Sequence, residues 1–332
     1  MRAIHRVRRA GPLAITAIVC IALYVAAGIL EPDFFSMSIV AGFLSNHAVF
    51  LIVAVGMTFV ILSGGIDLSV GATAACASIA LACLIERSSW NPAFAILFVL
   101  AGGVLIGGCM GGLIHSCRLP PFIVTLGGMF IARGLAFTIS RESVSIHEPM
   151  YEQIYDLPAS VLRAFGVNDA TAERIGFLLP TASVIAIAAF LAALVMLMRT
   201  RFGRNVYAIG GSEQSAILMG VPAASTKIAV YAISGGCAAL AGVVHTLSLF
   251  SGDPSSHVML ELDSIAAVVI GGTLLSGGIG SVVGTLLGVT IFAIIETWIT
   301  MREGLNSAWT RIIVGTLLLA FILLQRALVR RK

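Results

Sequence analysis

Residues 61–71 read ILSGGIDLSVG, and residues 274–284 read LLSGGIGSVVG. The two stretches are offset by 213 residues, so the SGGI tetrapeptide that begins at Ser63 recurs at Ser276. In each copy one apolar run ends at the glycine pair and another begins after it. Related halves with glycine-interrupted apolar segments at corresponding positions are typical of membrane transporters. The repeat therefore predicts two related halves, each broken at its SGGI segment.

The composition is that of a membrane protein. Of the 332 residues, 58% are hydrophobic and 11% are charged, and the mean hydropathy is +1.03. Soluble domains carry about 25% charged residues, so a water-soluble or disordered chain is excluded. The net charge of +4 is too small for a nucleic-acid surface, so we expect no nucleic-acid partner. Neither lysine follows a glycine, which excludes a Walker A nucleotide loop, and no catalytic or metal-binding motif is found.

Ten apolar runs are candidates for membrane helices, each of which needs roughly 20 residues to cross the hydrocarbon core. They lie at residues 13–30, 45–63, 70–85, 93–116, 121–140, 177–198, 228–247, 261–276, 281–300 and 309–325. The first run is long and has no clear cleavage site, so an uncleaved helix is favoured over a signal peptide. We predict an all-α, polytopic inner-membrane protein with about ten transmembrane or re-entrant helices.

The placement of arginine and lysine predicts the orientation. Ten crossings put thirteen of these residues in cytoplasmic segments and five in outside segments. The cytoplasmic set includes residues 1–12 and the C-terminal Arg326, Arg330, Arg331 and Lys332. Because cytoplasmic segments carry an excess of positive charge, both termini are predicted to be cytoplasmic.

Two connections are too long for simple turns. Residues 141–176 are acidic and are predicted to form an outside, periplasmic loop. Residues 199–227 are basic and are predicted to lie inside. Within them Ser212 suits an N-cap and Gly220 suits a helix end, so residues 212–219 are predicted to form a short helix. That helix is either a contact for a partner or an ordinary helix on the membrane surface.

Glycines spaced by four residues predict close helix packing, because small residues let helix backbones approach within a membrane. One set is Gly103, Gly107 and Gly111, and a second is Gly108 and Gly112.

Charged residues within the runs are costly to insert, at about 2.5–3.5 kcal/mol each, so they need partners or a function. Asp67 follows the first glycine pair, where it either caps the next helix or lines a transport pathway. Arg133 lies within a run and is expected to pair with Asp67 or Glu296. Glu296 and Arg311 lie near run ends, from which their side chains can reach the interface.

Four stretches of the chain resemble the permeases of ribose/galactose-type bacterial ABC sugar importers. They are residues 56–71 (GMTFVILSGGIDLSVG), 121–129 (PFIVTLGGM) with Arg133-Gly134, 201–211 (RFGRNVYAIGG) and 261–273 (ELDSIAAVVIGGT). Residues 140–151 and 308–312 are further similar to the permeases of galactofuranose importers.

The resemblance implies a single permease domain over residues 1–332 that is a transport subunit and not an enzyme. It implies import of a monosaccharide, either galactofuranose or a related pentose or hexose. The implied partners are a cytoplasmic ABC ATPase, a second permease that is a paralogue or an identical copy, and a periplasmic sugar-binding protein. ATP and Mg would be bound by the ATPase, and no cofactor is expected in this chain. The binding protein would dock near residues 141–176 and 248–260, and the ATPase would grip residues 205–222 as a coupling helix.

Site residues follow from the broken segments and from the resemblance. The expected translocation pathway comprises Ser63, Asp67, Ser69, Thr125, Arg133 and Ser276. The expected coupling residues are Asn205, Ser212, Glu213, Gln214, Ala216 and Gly220. The segment departs from the Glu-Ala-Ala-x3-Gly pattern of ABC permeases in general, so its assignment rests on the sugar-permease resemblance.

Three alternatives stay open from the residues alone. An ion-coupled secondary transporter would need an acidic relay within its spans, for which Asp67 is the one good candidate. A membrane-embedded enzyme would need clustered acids and histidines, whereas the acids here are spread along the outer connections and the histidines are scattered. An ABC permease of the branched-chain amino-acid type would share the architecture.

Overall fold

The computed structural model describes residues 2–164, 167–302 and 307–330. These residues are almost entirely helical. The helices are α1 (Arg2–Leu30), α2 (Met37–Asn46), α3 (Ala48–Leu62), α4 (Val70–Glu86), α5 (Pro92–Ser116), α6 (Pro121–Ile139), α7 (Pro149–Tyr155), α8 (Leu157–Ala164), α9 (Asp169–Leu178), α10 (Thr181–Arg199), α11 (Arg201–Gly211), α12 (Glu213–Leu218), α13 (Ala223–Leu249), α14 (Leu260–Ile270), α15 (Val282–Met301) and α16 (Ser307–Arg330). A short 3-10 helix, Pro32–Phe35, precedes α2. Arg331 and Lys332, counted above as cytoplasmic charges, lie outside the described residues.

Within the described residues, six helices are long and apolar enough to cross a membrane, or seven spans if α2 and α3 count as one. These two helices meet at His47 with a bend of 53°. The ten apolar runs all fall mainly on helices, and the all-α, polytopic class is confirmed. Fewer runs than expected are complete spans, because breaks leave α3 with 15 residues and α14 with 11. At 1.5 Å per residue, α14 is only about 16 Å long.

The sequence repeat extends to the helices on either side of each break. Shifting α3, α4 and α5 by 213 residues places their first residues within two positions of those of α14, α15 and α16. A long helix that precedes each set in the chain packs into the other half. Helix α13 packs mainly against α5, α3 and α4, and α1 packs mainly against α15. The Oγ1 atom of Thr16 on α1 also donates to the carbonyl of Ile270 on α14, at 2.8 Å. The two halves therefore form one interlocked bundle.

Glycines allow a close helix contact between α5 and α13. A Cβ at Gly107 would overlap the backbone oxygen of Tyr231, and one at Gly111 would lie 2.9 Å from the Cα of Ile228. Gly103 faces α13 in the same way. The packing role predicted for Gly103, Gly107 and Gly111 is thus confirmed. The prediction is not confirmed for the second set: a Cβ at Gly108 would meet the Cβ of Ala232 on α13 only at 3.8 Å, and no atom of the described residues lies within 4 Å of a Cβ at Gly112. This set therefore does not require glycine for the contact with α13.

The acidic connection at 141–176 is mostly ordered, not an irregular loop. It contains helices α7, α8 and α9 and the strand β1 (Val144–Ser145), which pairs antiparallel with β2 (Ser251–Gly252). Tyr151 on α7 is fully buried, and its hydroxyl bonds to that of Thr246 on α13. These contacts join the two connections that were predicted to lie outside.

Gly107→Ala should destabilise the bundle, because overpacking at a tight helix crossing costs about 1–3 kcal/mol. We expect a lower Tm in thermal unfolding of the detergent-solubilised protein.

Gly112→Ala is the matched control on the same helix. Its Cβ meets open space, and alanine is about 0.5–1 kcal/mol more favourable than glycine within a helix. Its Tm should stay the same or rise, and an equal loss in both variants would contradict the assigned packing.

Candidate functional site

The two SGGI breaks meet each other and the end of α11. The amide of Gly278 donates to the carbonyl of Leu62, at 2.9 Å. A Cβ at Gly277 would lie 2.8 Å from the amide nitrogen of Gly64, and one at Gly210 would overlap the Leu62 carbonyl. Gly64, Gly277 and Gly278 also have φ values of +82°, +84° and +76°, which favour glycine. We name this contact, formed by Gly64, Gly210, Gly277 and Gly278, the glycine junction.

Asp67 lies in the first break and is fully buried. Its Oδ1 atom accepts hydrogen bonds from the amide and the hydroxyl of Ser69, at 2.9 and 2.7 Å. Its Oδ2 atom accepts one from the hydroxyl of Ser234 on α13, at 2.7 Å. Three donors are the usual means of keeping a carboxylate in an apolar interior. The carboxylate therefore fixes the turn before α4 and ties it to the other half.

The serine and threonine predicted for the pathway occupy different surroundings. Thr125 on α6 is buried, with its hydroxyl 2.9 Å from the Pro121 carbonyl and 3.3 Å from that of Ile66 in the first break. The hydroxyl of Ser63 donates to the Val60 carbonyl of its own helix, at 2.8 Å. Ser276 is exposed. The structure thus brings Ser63, Asp67, Ser69 and Thr125 together around the first break, with Ser276 across the junction.

The predicted pairing of Arg133 with Asp67 or Glu296 is wrong. Its guanidinium donates instead to the carbonyls of Pro254 and Ser256, both at 2.8 Å, so it ties α6 to the connection after β2. Backbone carbonyls can take the place of a carboxylate because Arg needs several acceptors at fixed angles. Glu296 bonds instead to His47, with 3.1 Å between Oε2 and Nε2.

The predicted short helix within residues 212–219 is confirmed as α12. The Ser212 hydroxyl accepts from the amide of Ser215, at 3.3 Å, as an N-cap. Gly220, at φ +81°, ends the helix. Glu213 forms an ion pair with Lys227 on α13, at 2.6 Å. Helices α11 and α12, with the turn up to Gly220, are named the coupling segment.

The residues predicted for coupling differ in accessibility. Ala216 is fully buried against Ile209 and Ala223, so it holds α12 to its neighbours and has no surface to offer a partner. Gln214 is exposed, while Asn205 and Glu213 are partly buried.

Sequence reasoning missed the apolar tip at the end of α12. Its residues Ile217, Leu218 and Met219 are 50%, 88% and 72% exposed. They were overlooked because an apolar residue is unremarkable in so apolar a chain. Next to a charged and polar helix face, however, an exposed apolar cluster is typical of a contact with another protein or with the membrane surface.

Near the opposite ends of α3, α14 and α15 lies a cavity of about 590 Å³, which we name the histidine cavity. Its lining includes His47, His245, His257, Asp263 and Glu296. The histidines were taken as scattered because they lie far apart in sequence. The rings of His245 and His257 are in edge contact, with 4.4 Å between centroids. Burial, with the nearby His245 and Arg133, lowers the pKa of His257 to about 3, so this imidazole is neutral.

None of these groups is arranged to hold a metal. Among the described residues, no three His, Cys, Asp or Glu side chains form a group that could bind a metal ion.

Comparison with known proteins places this architecture in a family. The family model described as "Branched-chain amino acid transport system / permease component" matches residues 39–322. The chain belongs to this family. It is the multi-pass permease subunit of an ABC transporter and has no catalytic activity of its own, as predicted.

Three relatives match nearly the whole chain. The inner membrane ABC transporter permease protein YjfF of Escherichia coli is 43% identical, covering 97% of this chain and 94% of its own. The fructose import permease FruG of Bifidobacterium longum is 36% identical, covering 94% of this chain and 91% of its own. The ribose import permease RbsC of Bacillus subtilis is 36% identical, covering 92% of this chain and 89% of its own. No solved structure matches the chain.

Ser234→Ala should lower stability, because it removes one of the donors to the buried Asp67 carboxylate. Such a loss costs about 1–3 kcal/mol, and we expect a clear fall in Tm. Ser225→Ala, at an exposed position on the same helix, should change the stability by no more than about 0.5 kcal/mol. If Asp67 instead faced a hydrated pathway, water would replace the lost donor and both variants would keep the parent Tm.

Proposed function

We propose that the chain is the permease of an ATP-driven importer that carries a monosaccharide across the bacterial inner membrane. The sugar is galactofuranose or a related pentose or hexose. The fructose and ribose importers named above support a sugar, and the resemblance of residues 140–151 supports galactofuranose. The observation that carries the mechanism is the glycine junction, which joins the coupling segment to both broken helices.

The coupling segment is built to pass a movement into the bundle. Its apolar tip is exposed, whereas its other end is locked by Gly210 against the Leu62 carbonyl. Tyr207 on α11 also donates to the carbonyl of Gly280 in the second break, at 3.0 Å. An ATPase that grips the tip would therefore pull on the point where α3 ends and α15 begins. The coupling residues predicted from the sequence fall into two groups in this proposal. Gln214 lies at the surface, where it can meet the ATPase, and Ser212, Ala216 and Gly220 determine the shape of the helix.

The same proposal assigns the remaining partners and the orientation. With both termini in the cytoplasm, the coupling segment faces the ATPase, which carries ATP and Mg. The connections paired through β1 and β2, at 141–176 and 248–260, then face the periplasm and the sugar-binding protein. A second permease, either a paralogue or an identical copy, completes the membrane unit.

Five of the six expected pathway residues act in this proposal by shaping the pathway. Asp67, Ser69, Ser63 and Thr125 hold the first break, and Arg133 holds the periplasmic connection. Ser276, which is exposed at the junction, remains free to meet the sugar.

Deleting this chain in its native bacterium should reduce the uptake of one monosaccharide to background. Radiolabelled D-galactose, which contains a furanose fraction in water, is offered beside D-ribose, D-fructose and D-xylose. Radiolabelled L-leucine is the control, and plasmid-borne wild type should restore uptake. Loss of leucine uptake with normal uptake of all four sugars would support the branched-chain amino-acid alternative.

Leu218→Arg should weaken the grip of the ATPase, since a charged side chain replaces an exposed apolar contact. A loss of about 1.4 kcal/mol of interface free energy makes the association tenfold weaker, so recovery of the ATPase with the tagged chain should fall about tenfold. Quantitative mass spectrometry of the mild-detergent extract measures it.

Phe177→Arg is the matched control for this change. Phe177 is similarly exposed, at 78%, but it lies on α9, which the proposal places on the other side of the membrane. It should leave the recovery of the ATPase unchanged. Equal recovery with both variants would show that the apolar tip does not carry the contact.

A further inference from the structure

Two histidines of the cavity wall each have a ring nitrogen that no protein group satisfies. Within the described part of the chain, the buried Nδ1 atom of His47 and Nε2 atom of His257 have no hydrogen-bond partner. The His47 residue is 9% exposed, and its other ring nitrogen is fixed by Glu296. Leaving a buried polar atom unpaired costs free energy, so such atoms are normally matched by water or by a ligand. Both imidazoles belong to residues that line the cavity, so its wall includes polar rings whose hydrogen-bonding capacity is not used up within the protein.

The remaining wall of the cavity suits an occupant with both polar and apolar faces. Asn46, Ser248 and Thr297 add donors and acceptors to the wall. Phe50 and Phe292, whose ring centroids are 5.1 Å apart, add an apolar surface. The volume falls within the range of about 300–1,000 Å³ that is typical of small-molecule sites.

The charges of the wall discriminate between ligand classes. Asp263 and Glu296 are acidic, and no lysine or arginine occurs among the described lining residues. The wall would repel the phosphate of a sugar phosphate, and a free amino acid, whose ammonium group suits the wall, would find no cation there for its carboxylate. His257 does not supply that cation, because its imidazole is neutral. A neutral polyhydroxylated molecule needs only donors and acceptors.

We propose that the histidine cavity is a binding site for the neutral sugar on its way through the permease, between its release by the binding protein and the glycine junction. This assignment rests on the proposed function and adds the site and the charge class of the ligand. The assignment also means that Asp67, which is fully buried, does not contact the sugar directly. The cavity and the junction lie towards opposite ends of α3, α14 and α15, so a sugar bound there sits on the helices that the coupling segment moves.

The test is Thr297→Val in the full importer in cells, assayed by initial rates of uptake of the four radiolabelled sugars above. Valine keeps the shape of threonine and removes the hydroxyl. We expect the KM for the transported sugar to rise about three- to tenfold, the usual effect of losing one hydrogen bond to a ligand. Thr290→Val is the control two turns earlier on α15, where the hydroxyl donates to the Leu286 carbonyl and does not line the cavity. Its KM should stay at the wild-type value.

A second measurement does not depend on kinetics. Thr297→Cys, in a chain whose six native cysteines are replaced by alanine, is labelled with a membrane-impermeant maleimide on intact cells. The transported sugar should slow the labelling, and L-leucine should not.

The outcomes separate the two proposals. If the wild type takes up none of the four sugars, the proposed function fails and the sugar assignment of the cavity fails with it. If a sugar is taken up but Thr297→Val matches Thr290→Val and labelling is not slowed, the cavity assignment alone is overturned. A raised KM confined to Thr297→Val, with sugar-dependent protection, supports it.

Discussion

The backbone contact at the glycine junction is the one on which the organisation of the structure depends. The Leu62 carbonyl at the end of α3 accepts from Gly278 and lies where a side chain at Gly210 would have to be. Three separate segments of the chain therefore meet at one point without a side chain between them. A Cβ at Gly210 or Gly277 would force the segments apart, because protein interiors have no spare volume to absorb it. The two halves of the repeat and the coupling segment are consequently in direct backbone contact at this point.

Close packing extends from this point along the helices that lead to the histidine cavity. Gly284 and Gly288 on α15 lie so near Gly271 and Ala267 that an added Cβ would meet a backbone oxygen. The hydroxyls of Thr58 on α3 and Thr285 on α15 bond at 2.7 Å within the core. Helices joined in this way shift as units, because packed interfaces adopt discrete arrangements and do not deform continuously. In the proposed importer, a displacement at the junction would therefore be transmitted along the 15 residues of α3, over about 22 Å.

Features that local sequence determines could be predicted, and features that depend on distant residues could not. The breaks, the Ser212 cap and the Gly103–Gly107–Gly111 face follow from a few adjacent residues or from helical spacing. The histidine cavity joins residues 47, 245, 257 and 296, which one sequence without homologues does not connect. The predicted partner of Arg133 was wrong for a similar reason. A sequence does not show which backbone carbonyls lie near a side chain, so only charged partners were considered for Arg133.

The two halves differ at the residue that matters most for their response to the coupling segment. At the position of Asp67 the second copy has Gly280, so the carboxylate clamp exists only in the first break. Asp67 ties that break to Ser234 on α13, whereas the carbonyl of Gly280 accepts from Tyr207 of the coupling segment. Inserting a carboxylate into a membrane span costs about 2.5–3.5 kcal/mol, so the clamp is formed only because three donors offset that cost. Both breaks touch the coupling segment at the glycine junction, but the first is also tied to α13 by a carboxylate and the second to α11 by the Tyr207 hydroxyl. In the proposed importer, a pull on the coupling segment would therefore act on two breaks that are held differently, which favours a relative movement of α4 and α15.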